Sequence, residues 1–143
     1  MFLLKSAIAR QENVGIAVDA AASQFFRGGK YIIEGKESTR SDLVDFYRDL
    51  VERFPIISIE DPFDQEDWEG FKEIKRALPN IIIVADDLTT TNIKRIKEAH
   101  SKNACNGVIL KINQIGTVSE TIEAGKLAKE YGSESSAGFI NGV

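Results

Sequence analysis

Apolar and polar positions along this chain follow two alternating rhythms. Short, nearly unbroken apolar runs are each followed by a longer stretch in which apolar residues recur every three or four positions. The runs are Val14-Gly15-Ile16-Ala17-Val18, Ile56-Ile57-Ser58-Ile59, Ile81-Ile82-Ile83-Val84-Ala85 and Gly107-Val108-Ile109-Leu110. Each reads as a strand covered on both faces, the pattern of parallel sheets. Between them, Leu43, Phe46, Tyr47, Leu50, Val51 and Phe54 keep helical spacing up to Pro55, as do Trp68, Phe71, Ile74 and Leu78 up to Pro79. Ile93, Ile96 and Ala99 mark a third helix, and a fourth runs to Tyr131 with Gly132 predicted at its C′ position.

Local signals sharpen these boundaries. Thr39-Arg40-Ser41-Asp42 and Thr117-Val118-Ser119-Glu120 are capping boxes, in which a hydroxyl and an acidic side chain satisfy each other's backbone N–H groups. Asp64 is expected to cap the second helix, and Thr91 or Asn92 the third. Tyr31-Ile32-Ile33, after the Gly28-Gly29 turn, predicts a small excursion strand. Phe2, Leu3, Leu4, Ala7 and Ile8 fall on one helical face, so the chain is expected to begin inside a helix, a hint of truncation.

Four strand–helix repeats predict an α/β fold with parallel strands. No glycine-rich phosphate loop follows any strand, which disfavours a dinucleotide-binding sheet. The expectation is a partial (β/α) TIM-type barrel with four parallel βα units over residues 1–132, because a full barrel takes eight strands and about 250 residues. Residues 133–143 lack periodicity and are expected to form a flexible tail. Half a barrel leaves two unpaired edges, near residues 14–20 and 108–112, so self-association or a requirement for the rest of the barrel is expected.

Composition narrows the function. With 143 residues, 43% hydrophobic and 28% charged, the chain has the makeup of a globular domain with a real core. A net charge of −4 argues against a nucleic-acid partner. The apolar stretch at the start is too short for a signal peptide or membrane helix, so no membrane insertion is expected. The single cysteine, Cys105, excludes an internal disulfide framework and suits a reducing cytoplasm. No base motif lies near it, which favours a structural thiol over a nucleophile. The one histidine, His100, falls in a helix and reads as a surface residue.

The strand ends carry the chemistry. Each run stops on an ionisable residue: Asp19, Glu60, Asp86 and Lys111. The carboxyl edge is where barrel active sites lie, and neighbouring strands stand about 4.8 Å apart. Three carboxylates there could converge on a divalent cation, with Mg²⁺ the natural occupant of an oxygen-rich site. Any one of them could instead cap the following helix. Lys111 beside such a cation is expected to have a lowered pKa, suiting proton abstraction next to a carboxylate; alternatively it pairs with Asp86 or Asp87.

Four stretches carry a family resemblance: Val18-Asp19-Ala20-Ala21-Ala22-Ser23, Ser58-Ile59-Glu60-Asp61-Pro62-Phe63, Ala85-Asp86-Asp87-Leu88-Thr89 and Leu110-Lys111-Ile112-Asn113-Gln114-Ile115-Gly116-Thr117. Through them the chain resembles the C-terminal barrel domain of enolases, from residue 3 to residue 132. The resemblance implies Mg-assisted dehydration of 2-phosphoglycerate to phosphoenolpyruvate. It implies Asp19, Glu60 and Asp86 as metal ligands, Lys111 as the base that removes the C2 proton, and Glu60, Asp86 and Lys111 against the substrate. Where the family's phosphate-gripping Ser-His-Arg-Ser-Gly motif is expected, this sequence has Ser133-Glu134-Ser135-Ser136. The family's second active-site lysine and its N-terminal domain are not represented in these residues, so negligible turnover by them alone is expected. The alternative is a non-catalytic fragment that binds Mg²⁺ or acts in assembly.

Overall fold

The computed structural model describes residues 15–132. The predicted opening helix and the tail from residue 133 lie outside the described residues. Four strands form a parallel sheet: β1 (Ile16–Asp19), β5 (Ile56–Glu60), β6 (Ile82–Ala85) and β7 (Gly107–Val108), in the order β1-β5-β6-β7. Among the described residues the sheet does not close on itself, and β1 and β7 are its outer strands. Its connections carry the helices α1 (Arg40–Arg53), α2 (Trp68–Ala77) and α3 (Ile93–Ser101), and α4 (Ile112–Ile115, a single turn) and α5 (Val118–Tyr131) follow β7.

Before α1 the chain makes an antiparallel excursion of β2 (Phe26–Arg27), β3 (Lys30–Ile33) and β4 (Lys36–Ser38). Its two turns, Gly28-Gly29 and Glu34-Gly35, have positive φ at both positions, as two-residue hairpin loops require. Tyr31 ties this excursion to the main body. Its hydroxyl donates to Asp67 Oδ2 (2.8 Å) and accepts from the Asp64 N–H (3.0 Å), while Arg40 pairs with Asp67 at 2.7 Å.

The core is centred on Phe63, fully buried just beyond the end of β5. The rings of Tyr31, Tyr47 and Phe71 surround it at centroid distances of 5.6, 6.3 and 6.3 Å. Leu43, Ile59, Ile74, Ile83 and Leu88 complete it, each 0–1% exposed. Burial of each such side chain contributes roughly 1.5–3 kcal/mol, so this cluster decides how α1 and α2 seat on the sheet.

Both capping boxes have their predicted hydroxyl contact: Thr39 accepts from the Asp42 N–H, and Thr117 from the Glu120 N–H. Asn92 caps α3, accepting from the N–H groups of Lys94 and Arg95. Three boundaries differ from expectation. Asp67, not Asp64, caps α2: Asp67 Oδ1 accepts from the first-turn N–H of Gly70 (3.0 Å), while Asp64 Oδ1 takes the Glu66 N–H ahead of the helix (3.0 Å). Gly132 is extended (φ −71°, ψ 129°) and not left-handed, so α5 ends without the glycine motif. The fourth strand covers only Gly107–Val108, and its pairing then thins to a bond from the Ile109 N–H to the Ala85 carbonyl (3.0 Å). Beyond it the Lys111 N–H turns away from the sheet to a side chain, Thr91.

Candidate metal and substrate site

The parallel register brings the strand ends together. Asp19 is the direct partner of Glu60 across β1 and β5, and the Asp61 N–H donates to the Val84 carbonyl of β6 (3.0 Å). Asp86 follows β6, and Lys111 stands three residues past β7. Left-handed backbone gathers at these ends: Ala21 (φ 44°), Asp61 (41°), Thr90 (47°) and Thr91 (56°). Such conformations cost non-glycine residues about 1–2 kcal/mol each and persist where surrounding bonds over-determine them.

Asp61 is one reason they persist here. It is 3% exposed, and its two oxygens accept from the N–H groups of Asp86 (3.0 Å) and Asp87 (2.8 Å). Burial pushes its carboxyl up to about 6, a rise that the two backbone donors limit. Glu60, Asp61 and Asp86 each offer an oxygen within 4.8 Å of the others. Asp19 lies outside this tight trio and on the exposed rim, where its Oδ1 accepts from the Ala21 N–H (3.1 Å).

Glu60 registers the crowding. Burial, then the neighbouring charges of Asp19, Asp86 and Asp61, push its carboxyl up to about 6, against a smaller opposing pull from Lys111. Crowded acids of this kind fit a cation, since positive charge among them would relieve both burial and repulsion. Asp61 is the least suited as a ligand, its oxygens already being engaged with backbone. Glu60 and Asp86, with Asp19 beside them, remain the suitable donors.

Lys111 takes the ion-pair alternative. Its ammonium forms an ion pair with Asp86 Oδ2, and that hydrogen bond holds its pKa above the ordinary lysine value, outweighing burial that acts the other way. Of the two pairings open in the sequence, the structure has Asp86 and not Asp87. The other Asp86 oxygen accepts from Gln114 Nε2 (2.7 Å), and Gln114 Oε1 accepts from the Thr91 hydroxyl (2.8 Å). The strand-end pattern does not single out Asp61, Thr91 or Gln114. For Gln114 a signal existed, because it follows Lys111 by three residues; for Asp61 the burial and the left-handed φ leave no sequence trace.

Residues 3–139 match the family model described as "Enolase, C-terminal TIM barrel domain". Among curated relatives, the enolase of Methanocaldococcus jannaschii is 48% identical over 122 residues, covering 85% of this chain and 29% of the relative. The enolase of Thermococcus gammatolerans is 49% identical over 124 residues, with the same coverage, and that of Acidothermus cellulolyticus is 42% identical over 121 residues, covering 84% and 28%. The chain therefore spans under a third of the length of these relatives.

Proposed function

Given that this chain belongs to the enolase C-terminal barrel family, we propose that it supplies the metal-binding acids and the proton-abstracting base of an enolase-type dehydration of 2-phosphoglycerate to phosphoenolpyruvate. One observation carries this reading: Glu60, Asp86 and Lys111 meet at the ends of adjacent strands, with Asp19 in register beside Glu60. Asp19, Glu60 and Asp86 would hold Mg²⁺. The bound ion would supply positive charge against the substrate carboxylate as its α-carbon loses a proton.

The chain's own residues account for the base. Charge-pairing with Asp86 keeps the Lys111 ammonium protonated and anchored. Were Asp86 to hold a cation, that anchor would weaken, the ammonium would release its proton to solvent more readily, and the neutral amine so formed would accept the substrate's C2 proton. Phosphate binding and protonation of the leaving hydroxide have no assigned residue within these 143 residues. Each supplies preorganised electrostatics normally worth several kcal/mol of barrier. Turnover by this chain alone is accordingly negligible. The lone Cys105 supports a reducing, cytoplasmic setting, and no described helix is long and apolar enough to cross a membrane.

A second reading rests on the outer strands β1 and β7: a non-catalytic unit that binds Mg²⁺ or pairs through these edges in an assembly. Calorimetric titration of Mg²⁺ into this chain and into Asp86→Ala tests the metal site. Saturable binding lost in the variant is expected, and no binding to either would sink it. Family-like dehydration by the chain alone would refute the inactive assignment, and a compact monomer in sedimentation would count against pairing through the edges.

A further inference from the structure

We propose that Thr91 and Gln114 are positioning residues, a hydrogen-bonded strut that sets Asp86 and Lys111 in fixed relation; this rests on the reading that those two residues share one site. The need for a strut follows from the sheet. The β6–β7 ladder ends at Val108, and one further bond, from Ile109 to Ala85, continues it. Lys111 lies beyond that bond: its carbonyl accepts from the Gln114 N–H at 3.1 Å, but its own N–H has left the ladder and needs a partner outside the sheet.

Thr91 fills the gap. It is fully buried, and its hydroxyl accepts from the Lys111 N–H at 2.8 Å while donating to Gln114 Oε1 at 2.8 Å. Gln114 Nε2 then donates to Asp86 Oδ1 at 2.7 Å, and Asp86 Oδ2 takes the Lys111 ammonium. The bonds form a ring that leaves the backbone of Lys111 and returns to its side chain.

The ring has only one polarity. An ionised Asp86 can only accept, so Gln114 must present its NH₂ to it and its carbonyl to Thr91. The single Thr91 proton is thereby committed to Gln114, and one of its lone pairs accepts from the Lys111 N–H. Reversing the Gln114 amide would set its carbonyl against the Asp86 carboxylate, acceptor against acceptor. One Asp86 oxygen is consequently saturated by a neutral amide, and the other is left for the charged partner.

Backbone strain points the same way. Thr90 and Thr91 are consecutive β-branched residues with φ of 47° and 56°, a conformation in which such residues are genuine outliers. Strain of this kind is retained where the surroundings compensate for it; the two hydrogen bonds at the Thr91 hydroxyl add to the turn bonds from the Thr90 N–H to the Asp86 carbonyl and from the Asn92 N–H to the Thr89 carbonyl. A glycine would relax the backbone and lose the hydroxyl.

The test uses the 143-residue chain, Thr91→Val, which removes the hydroxyl and keeps the shape, and Thr91→Ser, which restores it. Two readouts are taken: the side-chain amide resonances of Gln114 by ¹⁵N NMR, and Mn²⁺ affinity by electron paramagnetic resonance. In the parent and Thr91→Ser the Gln114 amide should stand away from the free-glutamine position, and in Thr91→Val it should return to it. Mn²⁺ affinity should fall about tenfold in Thr91→Val and stay within about twofold in Thr91→Ser, the scale of support around metal ligands. A Gln114 amide at the free position in the parent, or Thr91→Val behaving as the parent, overturns the proposal. So does Thr91→Ser failing together with Thr91→Val. If circular dichroism shows Thr91→Val unfolded, Gln114→Met carries the test, and unchanged Mn²⁺ affinity in it overturns the strut. Absence of Mn²⁺ binding by the parent counts against the metal reading, and the amide resonances then decide the strut alone.

Discussion

Asp61 holds Asp86 by the backbone: its Oδ1 accepts from the Asp86 N–H at 3.0 Å, and its Oδ2 engages the next N–H, that of Asp87, at 2.8 Å. A carboxylate is the one side chain of this length with acceptors at both ends. Asp61→Asn keeps the shape but turns an NH₂ toward one of the two backbone donors. With the group buried, the mismatch should cost roughly 1–3 kcal/mol of stability. Urea denaturation should show the midpoint lowered at unchanged slope. A variant as stable as the parent would mean that the loop after β6 does not depend on this clamp.

Gly70 decides how closely α2 approaches the core. A Cβ there would lie 2.6 Å from Cδ1 and Cγ of Phe63. In an exposed helix, glycine to alanine gains about 1 kcal/mol. Here the obstacle is a fully buried ring, packed against Tyr31, Tyr47 and Phe71, that has nowhere to move. Overpacking costs of about 1–3 kcal/mol should therefore prevail. Gly70→Ala is expected to lower the thermal midpoint, and a raised midpoint would show that the helix shifts without penalty.

These two positions mark where the sequence is informative and where it is silent. Periodicity located every main strand and the four longer helices, because burying one face imposes a repeat that the side chains must obey. The Thr39 and Thr117 caps were legible because a cap is a local bond between residues three apart. Asp64 and Asp67 were harder to tell apart. Both are acids ahead of the same helix, and Asp64 instead opens the preceding turn, where its carbonyl accepts from the Asp67 N–H (2.8 Å). The strand-end acids were visible as a series, whereas the Asp61 clamp and the Thr91–Gln114 bonds join separate loops and leave no spacing to read. The direction of the Lys111 shift depends on which neighbour touches the ammonium: a lowered value belongs beside a cation, and the neighbour here is the Asp86 carboxylate.

Cys105 offers a pH test away from the site. Burial pushes its thiol up from the ordinary 9.0 to about 11, against a smaller opposing effect of the nearby Lys75 charge. The folded chain thus holds the thiol proton more tightly than the unfolded chain does. Its contribution to stability is complete below pH 9.0 and is lost as pH rises through about 11. At pH 8 the native thiolate fraction should be about a hundredfold below that of the unfolded chain, two units of pKa. A disulfide reagent should accordingly react at least that much more slowly in buffer than in urea. Equal rates would place the thiol in water.

The acid cluster predicts a trade between stability and metal binding. The Glu60 carboxyl, pushed from 4.5 to about 6, binds its proton more tightly in the folded chain than in the unfolded one. Its contribution is therefore most favourable below pH 4.5 and is lost as pH rises through about 6. Glu60→Gln removes the charge that crowds Asp19 and Asp86. Without metal the variant should melt higher than the parent by about 1–2 °C at pH 7, a modest gain because the group is partly solvated. The two melting curves should converge as the pH is lowered to 4.5. Added Mg²⁺ should reverse the order, because a ligand that binds the folded parent raises its midpoint and Glu60→Gln offers the ion one oxygen fewer in charge. A midpoint gap that ignores both pH and Mg²⁺ would mean that Glu60 acts through packing, and the crowding of its charge would then explain neither property.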